Sequence, residues 1–293
     1  MNIATETASV CANPFWDSLR PIWDSPTCVR VSHSDVVRVA NDIATEEFPV
    51  PSWHEPVFPD KDEEFFDFVA VGNSINFAFT NFDTGKSFTT EYRGSSWRGA
   101  FGMWASLRRA VEKGLAVTSG EFLSSLTSAE CHELFAGDPP IPMMEERCAI
   151  LQEVGRVLCE RFDGRFHNLL AGSNGRAFGS DGLVTQLLQH FPSFRDESLY
   201  RKSGTLLQFH KRAQLLAMMH QGRARASTVL RPLSDFPYLG PIADYSVPRA
   251  LHAQGILKYS SELEGTRLRR RIGGSRGGSG AATSRRARHG RVR

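Results

Sequence analysis

Apolar residues recur at helical spacing through most of this chain, and this periodicity constrains the fold more than any other feature of the sequence. The strongest pattern covers residues 142–162, and others cover residues 34–44, 97–114, 183–191, 204–220 and 247–255. Only residues 65–82, which are rich in Phe and Val, and residues 87–92 indicate strands, joined as a hairpin across Asp83-Thr84-Gly85. We therefore predict a mainly α fold, α+β in detail, with one small β-hairpin or sheet near residues 65–92.

The helical periodicity stops after Glu264, where Arg and Gly replace the apolar residues. Residues 266–293 contain ten Arg, six Gly and no acidic residue. Such a composition cannot supply a packed helix face, so we predict that this tail is disordered. Residues 1–265 are long enough to bury a large core and are predicted to form a single helical domain.

The distribution of charge argues against a surface that grips duplex nucleic acid and is compatible with a small-molecule pocket. The whole chain has a formal net charge of +3, but residues 1–265 alone carry −7, because ten basic residues belong to the tail. An acidic body does not suit a protein that holds duplex nucleic acid, so no stable nucleic-acid complex is expected. No apolar run approaches the roughly 18 residues of a membrane helix, and the N-terminus lacks the basic and apolar regions of a secretory signal. We expect a cytoplasmic protein with a small-molecule substrate and no membrane partner.

Motifs for metal binding and for nucleophilic catalysis are missing from the sequence. The five cysteines are odd in number and never have CxxC spacing, which predicts reduced and mostly buried thiols. The nine histidines never pair with another His or Cys at ligand spacing, so no metal site is predicted. The letters GGSRG at residues 273–277 match GxSxG, but no strand precedes them to form the strained turn of a nucleophile elbow.

Six short blocks, in a fixed order along the chain, match one protein family. They are INFAF (75–79), EYRG (91–94), EERCAILQEVG (145–155), FPSFRD (191–196), KRAQLL (211–216) and ADYSVP (243–248). Together these blocks resemble the queuosine salvage proteins, the queuosine 5′-phosphate N-glycosylase/hydrolase family, over residues 14–264. Each block alone is a weak signal, and the resemblance depends on six of them in register.

The resemblance implies a specific reaction. Family members hydrolyse the N-glycosidic bond of queuosine 5′-monophosphate and release queuine, which re-enters tRNA modification, and ribose 5-phosphate. The resemblance also implies a helical fold similar to the helix-hairpin-helix DNA glycosylases, with no metal and no organic cofactor. Residues 247–262 have the helix, Gly-containing turn and helix that such a hairpin requires.

Cleavage of a ribosyl C–N bond requires a carboxylate, because positive oxocarbenium charge develops at the sugar carbon. Queuine is a 7-deazaguanine and lacks the N7 lone pair that acids protonate in purines. The enzyme must therefore hydrogen-bond the other polar edges of the heterocycle and bind its cationic amine with a carboxylate or a π face. We name Asp244 and Asp196 as the candidate catalytic carboxylates.

The resemblance implies a base pocket formed by Ile242, Ala243, Asp244 and Tyr245, with His54 from a Pro-rich loop. Two of these residues also have a simpler structural interpretation. Asp244 could cap the helix that begins near residue 247, and both roles can hold together. His54 could be an ordinary exposed loop residue.

Lys211 and Arg212 are the candidates for holding the 5′-phosphate. The commoner explanation of such a pair is the solvated face of a helix. Asp196 likewise has two interpretations, since it could be a pocket carboxylate or an ion-pair partner of Arg195 or Arg212.

The chain departs from the family pattern in two places. Ile242 stands where the family has an aromatic residue, so one stacking surface is missing. Family members also continue beyond residues 259–260 with helices that include a proposed catalytic Asp, whereas no acidic residue follows Glu264 here. A shifted reading frame or a divergent exon would explain the tail, and the alternative function is a catalytically impaired binder of queuine or its nucleotide. The sequence leaves the oligomeric state open.

Overall fold

The structure is a computed structural model that describes residues 13–23, 28–47 and 50–266. The helices are α1 (Pro14–Trp23), α2 (His33–Ala44), α3 (Asp62–Ser74), α4 (Gly99–Glu112), α5 (Gly120–Ser125), α6 (Ser128–Leu134), α7 (Met144–Arg161), α8 (Phe166–Gly172), α9 (Leu183–His190), α10 (Lys211–Ala224) and α11 (Ser246–Ala253). Residues 261–266 are helical as well. The strands are β1 (Val29–Val31), β2 (Thr89–Tyr92), β3 (Ser95–Arg98), β4 (Glu197–Tyr200), β5 (Thr205–Gln208) and β6 (Leu257–Tyr259). The predicted mainly helical fold is confirmed, and the predicted tail lies outside the described residues except for Thr266.

The strands form three small antiparallel sheets of two strands each: β1 with β6, β2 with β3, and β4 with β5. The β1–β6 pair joins the first strand of the described residues to the last, with Val29 opposite Tyr259. The segment predicted as a helix-turn-helix, residues 247–262, consists of α11, Gly255 at φ +77°, β6 and the helix at 261–266. A short strand therefore lies between its two helices.

The strand predicted at residues 65–82 is wrong over its first half, where α3 is found instead. Every residue of α3 from Phe65 to Ser74 is buried, so the helix has no polar face and its sequence lacks the helical period. The predicted turn at residues 83–85 exists, but only one bridge, between Thr80 and Ser87, closes it. The regular hairpin is β2–β3, which turns at Arg93 (φ +48°) and Gly94 (φ +72°), the pair of positive φ values typical of a type I′ turn.

The starts of two predicted helices are also corrected. In the helix predicted at residues 204–220, residues 205–208 pair with β4 as strand β5, and α10 begins only at Lys211. The helix predicted at residues 97–114 is shortened in the same way. Trp97 belongs to β3, opposite Thr90 of β2, and α4 begins only at Gly99. Pairing with β2 keeps residues 95–98 extended, because a strand and a helix cannot share the same backbone groups.

Helix α3 is the centre of the core, and α4, α7, α8 and α10 pack around it. Its closest approach is at Gly72, where the Trp104 ring of α4 lies against the backbone. A Cβ atom on Gly72 would lie 1.8 Å from Cζ3 of Trp104, so only glycine permits this contact. Among the described residues, no helix is both long and apolar enough to cross a membrane.

Candidate active site

A cavity of about 360 Å³ opens between the start of α4, one face of α10, the segment after α3 and the segment before α11. Its apolar wall is largely aromatic and includes Trp53, Phe79, Phe101 and Trp104. Its polar end is formed by Asn76, Lys211, Asp244, Tyr245 and Ser246. Apolar walls with a few convergent polar groups are typical of small-molecule sites. The cavity brings together four of the predicted site residues: Lys211, Ile242, Asp244 and Tyr245.

Lys211 and Asp244 form an ion pair at the polar end of the cavity. Nζ of Lys211, the first residue of α10, lies 3.3 Å from Oδ2 of Asp244 and donates a hydrogen bond of 2.8 Å to the carbonyl oxygen of Asn76. Only 12% of the Lys211 side chain is exposed. Burial lowers the pKa of Lys211, and the nearby Asp244 carboxylate opposes that shift.

Asp244 lines the cavity and also bonds the beginning of α11, although the N-cap position of that helix is Tyr245. Its Oδ1 accepts hydrogen bonds from the backbone N–H (2.9 Å) and the hydroxyl of Ser246, the first residue of α11. Its Oδ2 faces Lys211 in the cavity. Burial alone would raise the pKa of Asp244, but the Ser246 hydrogen bonds and the Lys211 charge outweigh burial and hold the pKa below its usual value. The group is therefore an ionised carboxylate at neutral pH.

Tyr245 and Phe82 form an exposed aromatic rim. Their ring centroids are 6.0 Å apart in an edge-to-face arrangement, and Phe82 is 74% exposed. Phe82 belongs to the turn at residues 81–86, which the sequence indicated as part of a hairpin. An aromatic side chain held on the surface beside a cavity is suited to contact a planar ligand.

His54 and Ala243 are exposed and do not line the described cavity wall. Nδ1 of His54 lies 3.0 Å from the hydroxyl of Ser52, its neighbour in the loop. The preceding residue, Trp53, lines the cavity with its backbone at φ +58°, a conformation that is strained for an aromatic residue. The structure thus places the loop at the site, with Trp53 rather than His54 on the wall.

The half-buried Asp196 and the buried Arg212 form an ion pair away from the cavity wall. The Asp196 carboxylate accepts hydrogen bonds from the backbone N–H and Nε of Arg212, both at 2.8 Å. The remaining guanidinium nitrogens donate to the carbonyl oxygens of Ser74 and Ser193. Each of the three guanidinium nitrogens of Arg212 therefore bonds a protein group. The contacts of Asp196 are those of an ion-pair partner of Arg212, one of the two interpretations of its sequence position. Arg195, the other partner considered, donates from Nε to the carbonyl of Leu188.

Three cations bind the consecutive backbone carbonyls of residues 74–78, which lead from α3 into the cavity wall. Arg212 binds the carbonyl of residue 74, Lys211 binds that of residue 76, and Arg147 of α7 binds those of residues 75, 77 and 78. Carbonyls in such a segment need partners because no helix or sheet pairs with them. The three side chains therefore fix the backbone that presents Asn76 and Phe79 to the cavity.

Arg147 is fully buried and was not predicted as a site residue. Its guanidinium stacks on the rings of Phe77 and Phe79, with Cζ 4.3 and 5.1 Å from the two centroids. Burial and, secondarily, the charge of Arg212 lower the pKa of Arg147 to about 9. The sequence does hold a signal for it, because Arg147 is in helical register with the buried Leu151, an apolar position.

Comparison with known proteins identifies the family. Residues 56–273 match the family model described as queuosine salvage protein. A queuosine 5′-phosphate N-glycosylase/hydrolase of Sphaerobacter thermophilus is 34% identical over 253 residues, which are 86% of this chain and 75% of that protein. The mouse protein of the same name is 30% identical over 258 residues, 84% of this chain and 73% of its own length. This chain belongs to the queuosine salvage protein family. The resemblance seen in the six sequence blocks is confirmed.

The site of this queuosine salvage protein offers one ionised carboxylate and one ammonium group at the end of an aromatic cavity. The described residues contain no group of three or more His, Cys, Asp or Glu side chains placed to hold a metal ion. The chemistry available to these side chains is electrostatic stabilisation, hydrogen bonding and the orientation of water.

Proposed function

We propose that this chain hydrolyses the N-glycosidic bond of queuosine 5′-monophosphate and releases queuine and ribose 5-phosphate. The names of the two relatives above, queuosine 5′-phosphate N-glycosylase/hydrolase, support this proposal at 30–34% identity. The observation that carries it is the Lys211–Asp244 pair at the end of an aromatic cavity, since this is where a charged reaction centre and a planar base can meet. An N-glycosidase needs a carboxylate that remains ionised, and Asp244 supplies one.

In the proposed mechanism Asp244 stabilises positive charge at the anomeric carbon. The C–N bond breaks with its electron pair on the nitrogen of the base, and the sugar carbon becomes oxocarbenium-like. A water molecule, oriented by the Asp244 carboxylate, adds its oxygen to that carbon. One proton of this water ends on the departing base, and the other remains in the sugar hydroxyl, so the reaction balances without a further reactant.

Lys211 keeps Asp244 ionised and contributes to binding. Asn76 and Asp244 account for two of its three ammonium hydrogens. We assign the third to a substrate oxygen, and the 5′-phosphate is the most strongly charged one that the substrate offers. Arg212, the other predicted phosphate ligand, is directed at Asp196 and two backbone carbonyls, and we assign it to holding the site together.

The base is proposed to lie against the aromatic wall and the 242–245 segment. Ile242 and Tyr245 line the cavity, whereas Ala243 and His54 are exposed and are not among its lining residues. Phe82 adds an aromatic surface beside Tyr245. This surface compensates for the aromatic residue that the family has at the position of Ile242. We further propose that the fold is a relative of the helix-hairpin-helix glycosylases, with α11 and residues 261–266 as the hairpin helices.

The proposal is tested by product analysis. The whole chain is incubated with queuosine 5′-monophosphate, and free queuine and ribose 5-phosphate are quantified by mass spectrometry. We expect equimolar products with the wild-type chain and a large loss with Asp244→Asn. If high enzyme concentrations yield no queuine, the hydrolase proposal fails. Calorimetry that then shows binding of the nucleotide would select the impaired binder instead.

A further inference from the structure

Two buried cysteines meet where α6 packs on α7, away from the cavity described above. Sγ of Cys131 in α6 lies 2.6 Å from Sγ of Cys148 in α7. The two residues are 0% and 4% exposed. Non-bonded heavy atoms normally rest about 3.5–4.0 Å apart, so these sulfurs are closer than a packing contact requires.

Neighbouring contacts fix the position of Cys131 relative to α7. A capping box of Thr127 and Glu130 sets the first turn of α6, immediately before Cys131. On the solvent side, the hydroxyl of Ser128 donates a 2.7 Å hydrogen bond to Glu145 of α7, and Nε2 of His132 lies 3.3 Å from the same carboxylate. These contacts therefore hold α6 against α7 beside the two thiols.

We propose that Cys131 and Cys148 form a disulfide that joins α6 to α7 when the chain meets a peroxide or a low-molecular-weight disulfide. With hydrogen peroxide, one thiolate attacks an oxygen atom, the O–O bond breaks, and a sulfenic acid and water result. The second thiol attacks that sulfur and displaces a second water. Two S–H bonds are lost, one S–S bond forms, and the peroxide accepts both electrons. With oxidised glutathione, one cysteine thiolate attacks its disulfide and releases one glutathione thiol, and the second cysteine then displaces the other glutathione thiol, so the glutathione disulfide accepts both electrons.

The burial of the pair makes this bond a structural crosslink rather than a fast sensor. Burial, with the nearby Cys148, raises the pKa of Cys131, so its thiolate is scarce and its direct reaction is slow. Oxidation then depends on local opening of α6, which is only seven residues long. Once formed, the bond closes the loop between residues 131 and 148 and restricts the unfolded chain.

The wild-type chain itself is the first test. The reduced protein is treated with hydrogen peroxide or oxidised glutathione, in buffer and in mild urea to permit opening, and is then digested without reductant. We expect an intact mass lower by two hydrogen atoms, a peptide linking residues 131 and 148, and a melting temperature a few degrees higher that dithiothreitol reverses.

Two variants complete the test. Cys148→Ala should abolish the linked peptide and the reductant-sensitive shift, whereas Cys159→Ser, which alters an exposed cysteine of the same helix, should leave both intact. A wild-type digest in which Cys131 and Cys148 remain unlinked under both conditions overturns the proposal. A disulfide that maps to other cysteines overturns it as well.

Discussion

Lys211 is held between the carboxylate of Asp244, at 3.3 Å, and the carbonyl oxygen of Asn76, at 2.8 Å. These two contacts connect α10, the segment before α11 and the segment after α3 through one buried ammonium group. An ammonium that is largely desolvated remains charged only where such partners compensate for the lost water. The pair is therefore the electrostatic centre of the cavity, and each partner sets the charge state of the other.

Asp244→Asn should abolish most of the hydrolytic activity while the protein remains folded. The amide keeps the size of the carboxylate but cannot stabilise positive charge on the sugar. We expect kcat to fall at least about 100-fold, as for the loss of one strong electrostatic contribution. Product formation is measured alongside the circular dichroism spectrum, and a folded variant with wild-type kcat would refute the assignment of Asp244.

The activity should depend on pH through both partners of the pair. The pKa of Asp244 lies below its ordinary value of 3.8, so the carboxylate stays ionised until the pH falls below about 4. The pKa of Lys211 lies below its ordinary value of 10.5, so kcat/KM should decline on the alkaline side before a solvated lysine would lose its proton.

The effect of the Asp244 charge on the pKa of Lys211 can be measured directly. Asp244 favours the charged form of Lys211, so Asp244→Asn should lower the pKa of Lys211 further. Nuclear magnetic resonance of labelled lysine side chains, in the wild type and the variant, measures this pKa. A Lys211 pKa that is unchanged or raised in Asp244→Asn would contradict the ion pair.

The sequence indicated as site residues Lys211, Asp244 and Tyr245, which line the polar end of the cavity, but not Asn76 and Ser246, which line it with them. Lys211 and Arg212 are adjacent on a helix, where consecutive side chains point about 100° apart, so one can face a cavity and the other the core. The sequence shows that both residues are charged, but it does not show how α10 is rotated about its axis. The structure settles the rotation, with Lys211 on the cavity wall and Arg212 against Asp196.

The errors of the fold prediction have a related cause. From Phe65 onward, helix α3 is buried on all sides. A helix without a solvent-facing side gives no periodic signal, so its Phe and Val residues indicated a strand. Arg147 was overlooked for the opposite reason. It occupies an apolar register position of α7, and its role depends on carbonyls about 70 residues away in the sequence.

Arg147→Met should destabilise the protein strongly. The substitution removes the Arg147 donors from the carbonyls of residues 75, 77, 78 and 142, of which only that of Ile75 keeps a second described donor, the N–H of Phe77. Each buried polar group left without a partner costs about 1–3 kcal/mol. We expect the free energy of unfolding in urea to fall by about 3–5 kcal/mol. Arg156→Met, at an exposed position of the same helix, is the matched control and should change it by less than about 0.5 kcal/mol. If the two substitutions lower the free energy of unfolding equally, the buried contacts of Arg147 do not contribute to stability.

Asp196→Asn should separate a positioning role from a catalytic one. The substitution removes the charge that pairs with the buried Arg212, and we expect a loss of about 2–3 kcal/mol in unfolding free energy with kcat nearly unchanged well below the melting temperature. Asp181→Asn removes an exposed partner of Arg176 and should affect neither quantity. If Asp196→Asn instead abolishes turnover in a folded protein, Asp196 and not only Asp244 is a catalytic carboxylate.

Phe82→Ala should weaken substrate binding without weakening the fold. The ring is 74% exposed and contacts Tyr245, so its removal opens no cavity in the core but takes one aromatic surface from the rim. Aromatic pairs contribute about 0.5–1.5 kcal/mol, which corresponds to a roughly two- to tenfold rise in KM for the nucleotide. Leu199→Ala, at another exposed apolar residue, in β4, controls for general loss of surface hydrophobicity. Steady-state kinetics and thermal melting of both variants make the comparison, and a KM that rises equally in both would show that Phe82 does not touch the base.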